Sequence, residues 1–356
     1  MKKLMKGNIA LCEGAIAAGC DAYFGYPITP QNEIPAHMSR RMTELNRVFL
    51  QAESELAAIN MVFGASVAGK RSMTSSSSPG ISLKQEGISY LAGAELPSVI
   101  VNIVRGGPGL GNISGSQSDY FQATRGGGHG DYRTIVLAPD SIQEMYELCF
   151  LAFYLADLYR IPVLILSDGI IGQMMEPLDL ARAEDFARSI NAQTLPNKDW
   201  ALTGCVNRKP RFIRSLIMNE GGLEEFNYKL GQKHAKISEH EVRYETHQTD
   251  NQQIMVVAFG IAARVAQSAV NILRKKGKKV GFLRPISLWP FPSAQLAASA
   301  KSAKKILVVE YNMGQMIEDV RLAVNGRVEV DFFGKPGGGV ITDEEIIDRV
   351  LKIYEN

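Results

Sequence analysis

51-QAESELAAINMVFGASVAG-69 is the stretch that decides the fold. Leu56, Ile59, Asn60, Phe63 and Val67 recur at intervals of three and four, the period of a helix that buries one face. The helix carries carboxylates at its start, Glu53 and Glu55. Acidic side chains in a first turn suit the helix dipole, and that alone would account for both. Their flanks point further. Upstream stands the Pro-rich turn 26-YPITP-30, and downstream the Ser run 75-SSSSPG-80, closed by Pro-Gly. Both are turns that belong at the carboxyl ends of strands, where open α/β sheets place their ligands. A carboxylate entering such a crevice is a candidate for proton work.

Outward from this helix, strand and helix alternate. Helix is expected over 8–18, with Gly19 as its stop, 53–69, 81–94 and 141–159. Strands are expected over 22–26, 47–51, 71–74, 98–105, 134–138 and 162–167. VIVNIV, TIVLA and VLIL are near-continuous apolar runs, as in parallel strands buried on both faces. A Gly-rich loop runs from Gly106 to about 131. From 185 to 250 the pattern fails, and an irregular linker with some helix near 223–245 is expected. Alternation resumes at Ile254 with the strands IMVVAF, KVGFLR, KILVVE and VEVDFF. The expected organisation is an α/β domain over 1–185, a linker over 186–250 and a smaller α/β domain over 251–356.

The 356 residues suit two domains, and 46% apolar with 21% charged residues is an ordinary globular composition. A net charge of +2 supplies no field for nucleic acid, and 274-RKKGKK-279 reads as a helix end stopped by Gly277. Cys12, Cys20, Cys149 and Cys205 form no C-x-x-C, which argues against a cluster or zinc knuckle and for buried thiols in a reducing compartment. Asn8 and Glu13 interrupt the apolar residues of the N-terminus, and no run reaches the ~18 apolar residues of a membrane span. A cytoplasmic chain without membrane or nucleic-acid partners is expected.

Several motifs have plain structural readings. 106-GGPGLG-111 superficially resembles a dinucleotide fingerprint but places Asn112 where a further glycine is needed, so it reads as a loop that lets backbone approach a ligand. Ser75–Ser78 can cap the helix that follows and also line a cleft. Thr29 can be a turn residue. Arg105, at a strand end, can be a satisfied ion pair or a bidentate partner for a carboxylate. Arg125 and His129 lie in the Gly-rich region, with His129 as a solvated loop residue or a ligand contact. No metal-ligand spacing is present among the histidines. Trp289, between prolines, reads as a packing anchor, and Glu310 and Gln315 as interface residues.

Taken together, YPITP, E-x-E-x-A-A-I-N, SSSSPG-x-S-L, V-x-x-V-R-G-G-P-G-L-G, 130-GDYRTIVLAP-139, 162-PVLILSDG-169 and 282-FLRPISLWPFP-292 resemble the 2-oxoacid:ferredoxin oxidoreductases. The similarity is to the subunit with a thiamine-pyrimidine domain and a transketolase C-terminal-like domain. SSSSPGISLKQEGISYLAGAELP is similar to the branched-chain (3-methyl-2-oxobutanoate) members, with the 2-oxoglutarate members as near relatives. The resemblance implies thiamine diphosphate as cofactor. It makes Glu55 the carboxyl that meets the aminopyrimidine N1′, with Glu53 as runner-up, and Pro27, Ile28, Ser77 and Ser78 the cofactor-lining residues. Thr29 and Arg105 would meet the 2-oxoacid. It further implies oxidative decarboxylation, with coenzyme A taking the acyl group and ferredoxin the electrons. No Mg²⁺-diphosphate motif and no cluster cysteines occur here. The resemblance therefore places Mg²⁺ and iron–sulfur clusters on partners: a diphosphate-binding subunit, a gamma-type subunit and a ferredoxin-like subunit.

Overall fold

The computed structural model describes residues 2–355. The first half runs β1 (Lys2–Lys6), α1 (Gly7–Ala17), β2 (Ala22–Gly25), α2 (Glu33–Glu44), β3 (Val48–Gln51), α3 (Glu55–Val67), β4 (Ser72–Ser76), α4 (Pro79–Gly93), β5 (Ser98–Val104), α5 (Tyr120–Arg125), β6 (Ile135–Leu137), α6 (Ile142–Tyr159), β7 (Pro162–Asp168), α7 (Gly169–Gln173), β8 (Met175–Asp179) and α8 (Leu180–Asn191). The second runs α9 (Gly222–His240), β9 (Tyr244–His247), β10 (Ile254–Val257), α10 (Gly260–Lys275), β11 (Val280–Pro285), β12 (Ser287–Trp289), α11 (Ser293–Ser299), β13 (Lys305–Glu310), α12 (Met316–Val324), β14 (Glu329–Gly334) and α13 (Asp343–Glu355).

The larger sheet has the order β12-β6-β7-β5-β4-β2-β3, parallel except for its edge strand β12. Its apolar runs are buried on both faces, as the sequence leads one to expect. Along β5, Val99, Val101 and Ile103 face the layer of α1, α2 and α6, whereas Ile100 and Val104 face α3 and α4. β2 connects to β3 on one side, and β4 connects to β5 on the other. The carboxyl ends of β2 and β4 therefore flank the point where the strand order reverses, the usual ligand crevice of such sheets.

The second sheet, β14-β13-β10-β11-β9, is smaller and parallel apart from β9. The two units exchange strands: β9 from the 186–250 segment joins the second sheet, and β12 crosses back onto β6 of the first. Trp289, on β12, packs against both cores, edge-on to His234. Between them, Arg284 of β11 is buried and forks onto Glu144 of α6 with two 2.7 Å bonds, Asp140 and Glu245 adding further carboxylates at 3.2 and 3.0 Å. The 186–250 segment is less irregular than its composition suggests, because it holds the end of α8, all of α9 and β9. Its remainder is tied to the first unit by Leu202 N–H to the Val67 carbonyl and by Lys198 to Asp157 at 2.8 Å.

Three further expectations change. α3 buries Ala58, Ile59, Val62 and Ser66 together with Glu55, whereas Leu56 is 47% exposed and Asn60 is on the surface. α3 and α4 approach closely where Gly87 makes room for Ile59: a Cβ on Gly87 would lie 2.5 Å from it. Ser78 occupies the cap position of α4 without its hydroxyl capping the helix. Cys205 is exposed, unlike the buried Cys12, Cys20 and Cys149. Among the described residues no helix is long and apolar enough to cross a membrane.

Candidate active site

Glu55, Thr29, Ser77, Ser78 and Arg105 follow β3, β2, β4 and β5, neighbouring strands of one sheet, so the topology brings them to one carboxyl edge. Each is held there differently. After β3, Ala52 donates to the Gly25 carbonyl at 3.0 Å, and Ser54 caps α3 by accepting from Ala57 N–H at 3.2 Å. This turn aims the first helical side chain inward. Glu55 is 5% exposed, whereas Glu53 lies on the surface. Ser76 Oγ donates to Glu55 Oε1 at 3.3 Å, and among the described residues Oε2 has no donor. Gly80 completes the seat. A Cβ there would lie 2.5 Å from Glu55 Oε1 and 2.0 Å from Ser76 Oγ, so only glycine leaves room for the carboxyl.

The Pro27–Pro30 turn is fixed from below. Gln31 donates to the Tyr26 carbonyl and accepts from Ser75 Oγ at 2.5 Å, and Ser75 also bonds the Tyr23 hydroxyl at 2.7 Å. Pro27 is exposed at the rim, with Ile28 and Thr29 half-buried beside it. Thr29 Oγ1 accepts from Asn32 Nδ2 at 3.2 Å, so its turn role is real whatever else it does.

Arg105 is 9% exposed and spans the crevice. Nη1 donates to the Thr29 carbonyl and Nη2 to the Leu110 carbonyl, both at 2.9 Å, while Nε is buried without a partner. The guanidinium thus links the Pro-rich turn to the Gly-rich loop and keeps N–H groups spare. Ser78 has a positive φ of 20° and is held by three bonds: its N–H to Asn102 Oδ1, its hydroxyl from Arg105 N–H at 3.1 Å and its hydroxyl to the Arg105 carbonyl. Such strain persists only where the surroundings fix it. Ser77 Oγ is buried without a partner.

A cleft of about 700 Å³ opens beside Ser78 and Pro79, walled by Gly107, Asp119 and Gln122 and by Asn312 of the second unit. Burial pushes the Asp119 carboxyl up, against a hydrogen bond from Asn102 Nδ2 at 2.8 Å. Sequence reasoning missed Asn102, which orders both Ser78 and Asp119, and missed Lys84. The Lys84 side chain is fully buried beneath the site, and burial pushes its amine down to about 8 against the opposing field of Glu55. Two other residues lie elsewhere. Arg125 pairs with Asp319 at 2.9 Å across the two units, and His129 lines a separate pocket with Ser215 and Leu230. Glu310 caps α12, and Gln315 bonds Phe121 N–H and the Ser118 carbonyl, so both are contacts inside this chain.

The carboxyl edge thus offers a carboxyl with a free oxygen at a helix start, and the buried, unpartnered Ser77 Oγ and Arg105 Nε after the neighbouring strands. Comparison with known proteins shows the family. Residues 13–246 match the family described as pyruvate flavodoxin/ferredoxin oxidoreductase, thiamine diP-bdg, and residues 253–346 match pyruvate:ferredoxin oxidoreductase core domain II. The chain is 49% identical to the ketoisovalerate oxidoreductase subunit VorB of Methanothermobacter thermautotrophicus, over 99% of this chain and 97% of that one. It is 36% identical to the 2-oxoglutarate synthase subunit KorA of the same organism, over 98% of both. Among solved structures, 2-oxoglutarate:ferredoxin oxidoreductase from Magnetococcus marinus, with 2-oxoglutarate, coenzyme A and succinyl-CoA bound, superposes with a TM-score of 0.89 at 28% identity; it covers 99% of this chain, which spans 65% of the other. A split-gene transketolase from an inactive beta4 tetramer shares the fold alone, with a TM-score of 0.62 at 14% identity. The chain therefore belongs to the pyruvate flavodoxin/ferredoxin oxidoreductase family, as a subunit of the 2-oxoacid:ferredoxin oxidoreductase type with its thiamine-diphosphate-binding domain first and core domain II second.

Proposed function

We propose that this chain forms the pyrimidine half of a shared thiamine diphosphate site, in a complex that oxidatively decarboxylates 3-methyl-2-oxobutanoate. The observation that carries the reading is Glu55: buried, fixed at Oε1 by Ser76, and free at Oε2 in the crevice where the strand order reverses. When bound, the thiamine supplies a carbon acid at C2 that can add to a 2-oxo carbon, and this chain's residues position and polarise it. Glu55 Oε2 holds or accepts the proton shared with the pyrimidine N1′. Ile28, Pro27, Ser77 and Ser78 line the ring's edge. Thr29, and the spare N–H groups of Arg105, meet the oxoacid carboxylate, a pairing for which a guanidinium fork is well suited.

The remaining parts belong to partners in this reading. The chain carries no acidic diphosphate motif, and its cysteines are widely spaced. Mg²⁺ and the diphosphate therefore go to a diphosphate-binding subunit, and the clusters to a ferredoxin-like subunit. A gamma-type subunit completes the complex, with coenzyme A as acyl acceptor, ferredoxin as electron acceptor and the cytoplasm as its place. Met313 of the cleft wall and Leu110 and Ile113 of the Gly-rich loop are exposed, 78%, 81% and 65% respectively, where a partner would cover them. The branched-chain substrate rests on the 49% identity to VorB against 36% to KorA. The test is calorimetry and turnover with and without the diphosphate-binding partner. Thiamine diphosphate should bind tightly only to the complex, which should prefer 3-methyl-2-oxobutanoate to 2-oxoglutarate. Tight binding by the single chain would refute the split site, and a 2-oxoglutarate preference would move the substrate to the KorA type.

A further inference from the structure

We propose that Lys84 is a positioning residue for Glu55: its enclosed amine supplies the charge that controls whether the Glu55 carboxyl keeps or yields its proton. Lys84 is 0% exposed and among the largest fully buried side chains of the chain. A lysine is almost never fully buried unless paired. Here its one hydrogen bond, for three ammonium protons, runs to the Ser75 carbonyl at 3.4 Å, longer than an ordinary N–H···O bond. An apolar side chain of the same length would fill the space without desolvating a charge, so packing does not account for an amine at this position.

The geometry gives it a use. Lys84 lies one turn after Gly80 on α4, and helical side chains lean toward the preceding turn. Gly80 has no side chain to obstruct that path, and it is the residue against which the Glu55 carboxyl rests. The amine bonds the Ser75 carbonyl while the carboxyl accepts from the hydroxyl of Ser76, the next residue of β4. Lys84 and Glu55 are thus held by successive residues of one strand. Of the groups around the amine, Glu55 on α3 is the one whose charge acts on it. Tyr23 on β2 bonds Ser75 Oγ, β4 contributes hydroxyls and carbonyls without charge, and Glu86 of α4 is exposed and bonds Tyr90. Burial draws the amine down to about 8, with Glu55 opposing. Below that pH a cation faces Glu55 and favours the carboxylate left when its proton moves to a ligand. Above it the amine is neutral and that support is gone.

The use made of this coupling rests on the thiamine reading; the coupling itself does not. The first experiment is a pH titration of the lysine Cε and Nζ resonances of the full-length chain, with Lys84→Met to assign the signal. We expect a midpoint near 8 for Lys84 and a lower one in Glu55→Gln, which removes the opposing carboxylate. A midpoint near that of exposed lysines, or one that Glu55→Gln leaves in place, would overturn the pairing. The second is the pH profile of thiamine C2-proton exchange in the reconstituted complex. Exchange should fall above pH 8 in the parent, lose that limb in Lys84→Met and keep its acid-side rate in Lys84→Arg. An identical profile in Lys84→Met would remove Lys84 from the reaction. Normal exchange in Glu55→Gln, with the lysine shift intact, would instead fault the thiamine reading.

Discussion

Gly80→Ala is the smallest perturbation that reaches the site, since it adds one methyl and no charge. That methyl would lie 2.0 Å from Ser76 Oγ, 2.5 Å from Glu55 Oε1 and 3.0 Å from Glu55 Cδ, against ordinary contacts of 3.4–4 Å. The carboxyl and the serine must therefore retreat by roughly 1 Å, and in a close-packed interior neither has free space to enter. Overpacking of this kind costs about 1–3 kcal/mol of stability. The functional cost should be larger in proportion, because a ~1 Å misplacement of a positioned group costs about 10²-fold in rate. The assay is C2-proton exchange of thiamine diphosphate in the reconstituted complex, read beside the melting temperature. Gly64→Ala is the control: it lies in α3, and nothing is within 4 Å of its Cβ. That change should be neutral or stabilising by about 0.5–1 kcal/mol, with exchange unaltered. Parental exchange in Gly80→Ala, despite a lowered melting temperature, would show that the Glu55 seat is not where the chemistry is prepared.

Arg105→Lys replaces a fork that holds the Thr29 and Leu110 carbonyls by a single ammonium. The Michaelis constant for the 2-oxoacid should rise at least ~10-fold with little change in thiamine affinity; unaltered oxoacid kinetics with a lowered melting temperature would assign Arg105 to tethering the two loops. Arg284→Met leaves the buried Glu144 and the half-buried Asp140 without their cation, and should destabilise by about 3–5 kcal/mol in denaturant titration. Adding Glu144→Leu should recover part of that loss, and no recovery would mean that the guanidinium acts through packing alone.

The parallel sheet was legible because strands covered on both faces must be largely apolar, as Val163–Leu166 and, Asn102 apart, Val99–Val104 are. The helix α3 was legible because a helical period, carboxylates and two flanking turns coincide there, although it starts at Glu55 behind the Ser54 cap and not at 53. Its buried face was legible only in part. Of the stripe that periodicity detects, Ile59 is buried and Phe63 and Val67 pack at its edge, but the buried face is rotated toward Ala58, Val62 and Ser66 and leaves Leu56 and Asn60 outside. Lys84 was invisible for a related reason, since a lysine in a helix reads as solvent-facing until Gly80 is known to open a path beneath it. The Arg105 bonds to backbone carbonyls, and the return of Ser287–Trp289 to the first sheet, depend on contacts distant in sequence that no local pattern records. Ser78 reads as a cap, but its hydroxyl is drawn instead to the Arg105 backbone.

The central claim is that Glu55 is the carboxyl serving the thiamine pyrimidine. It is tested most directly by C2-proton exchange in the reconstituted complex, comparing Glu55→Gln with Glu53→Gln. The amide keeps the shape of the side chain and cannot give up a carboxyl proton. Exchange should slow by about 10²–10⁴ in Glu55→Gln, the usual contribution of a positioned acid–base group, and stay at the parental rate in Glu53→Gln, whose side chain is on the surface. Parental exchange in Glu55→Gln with loss in Glu53→Gln would contradict the assignment and move the site to the other carboxylate.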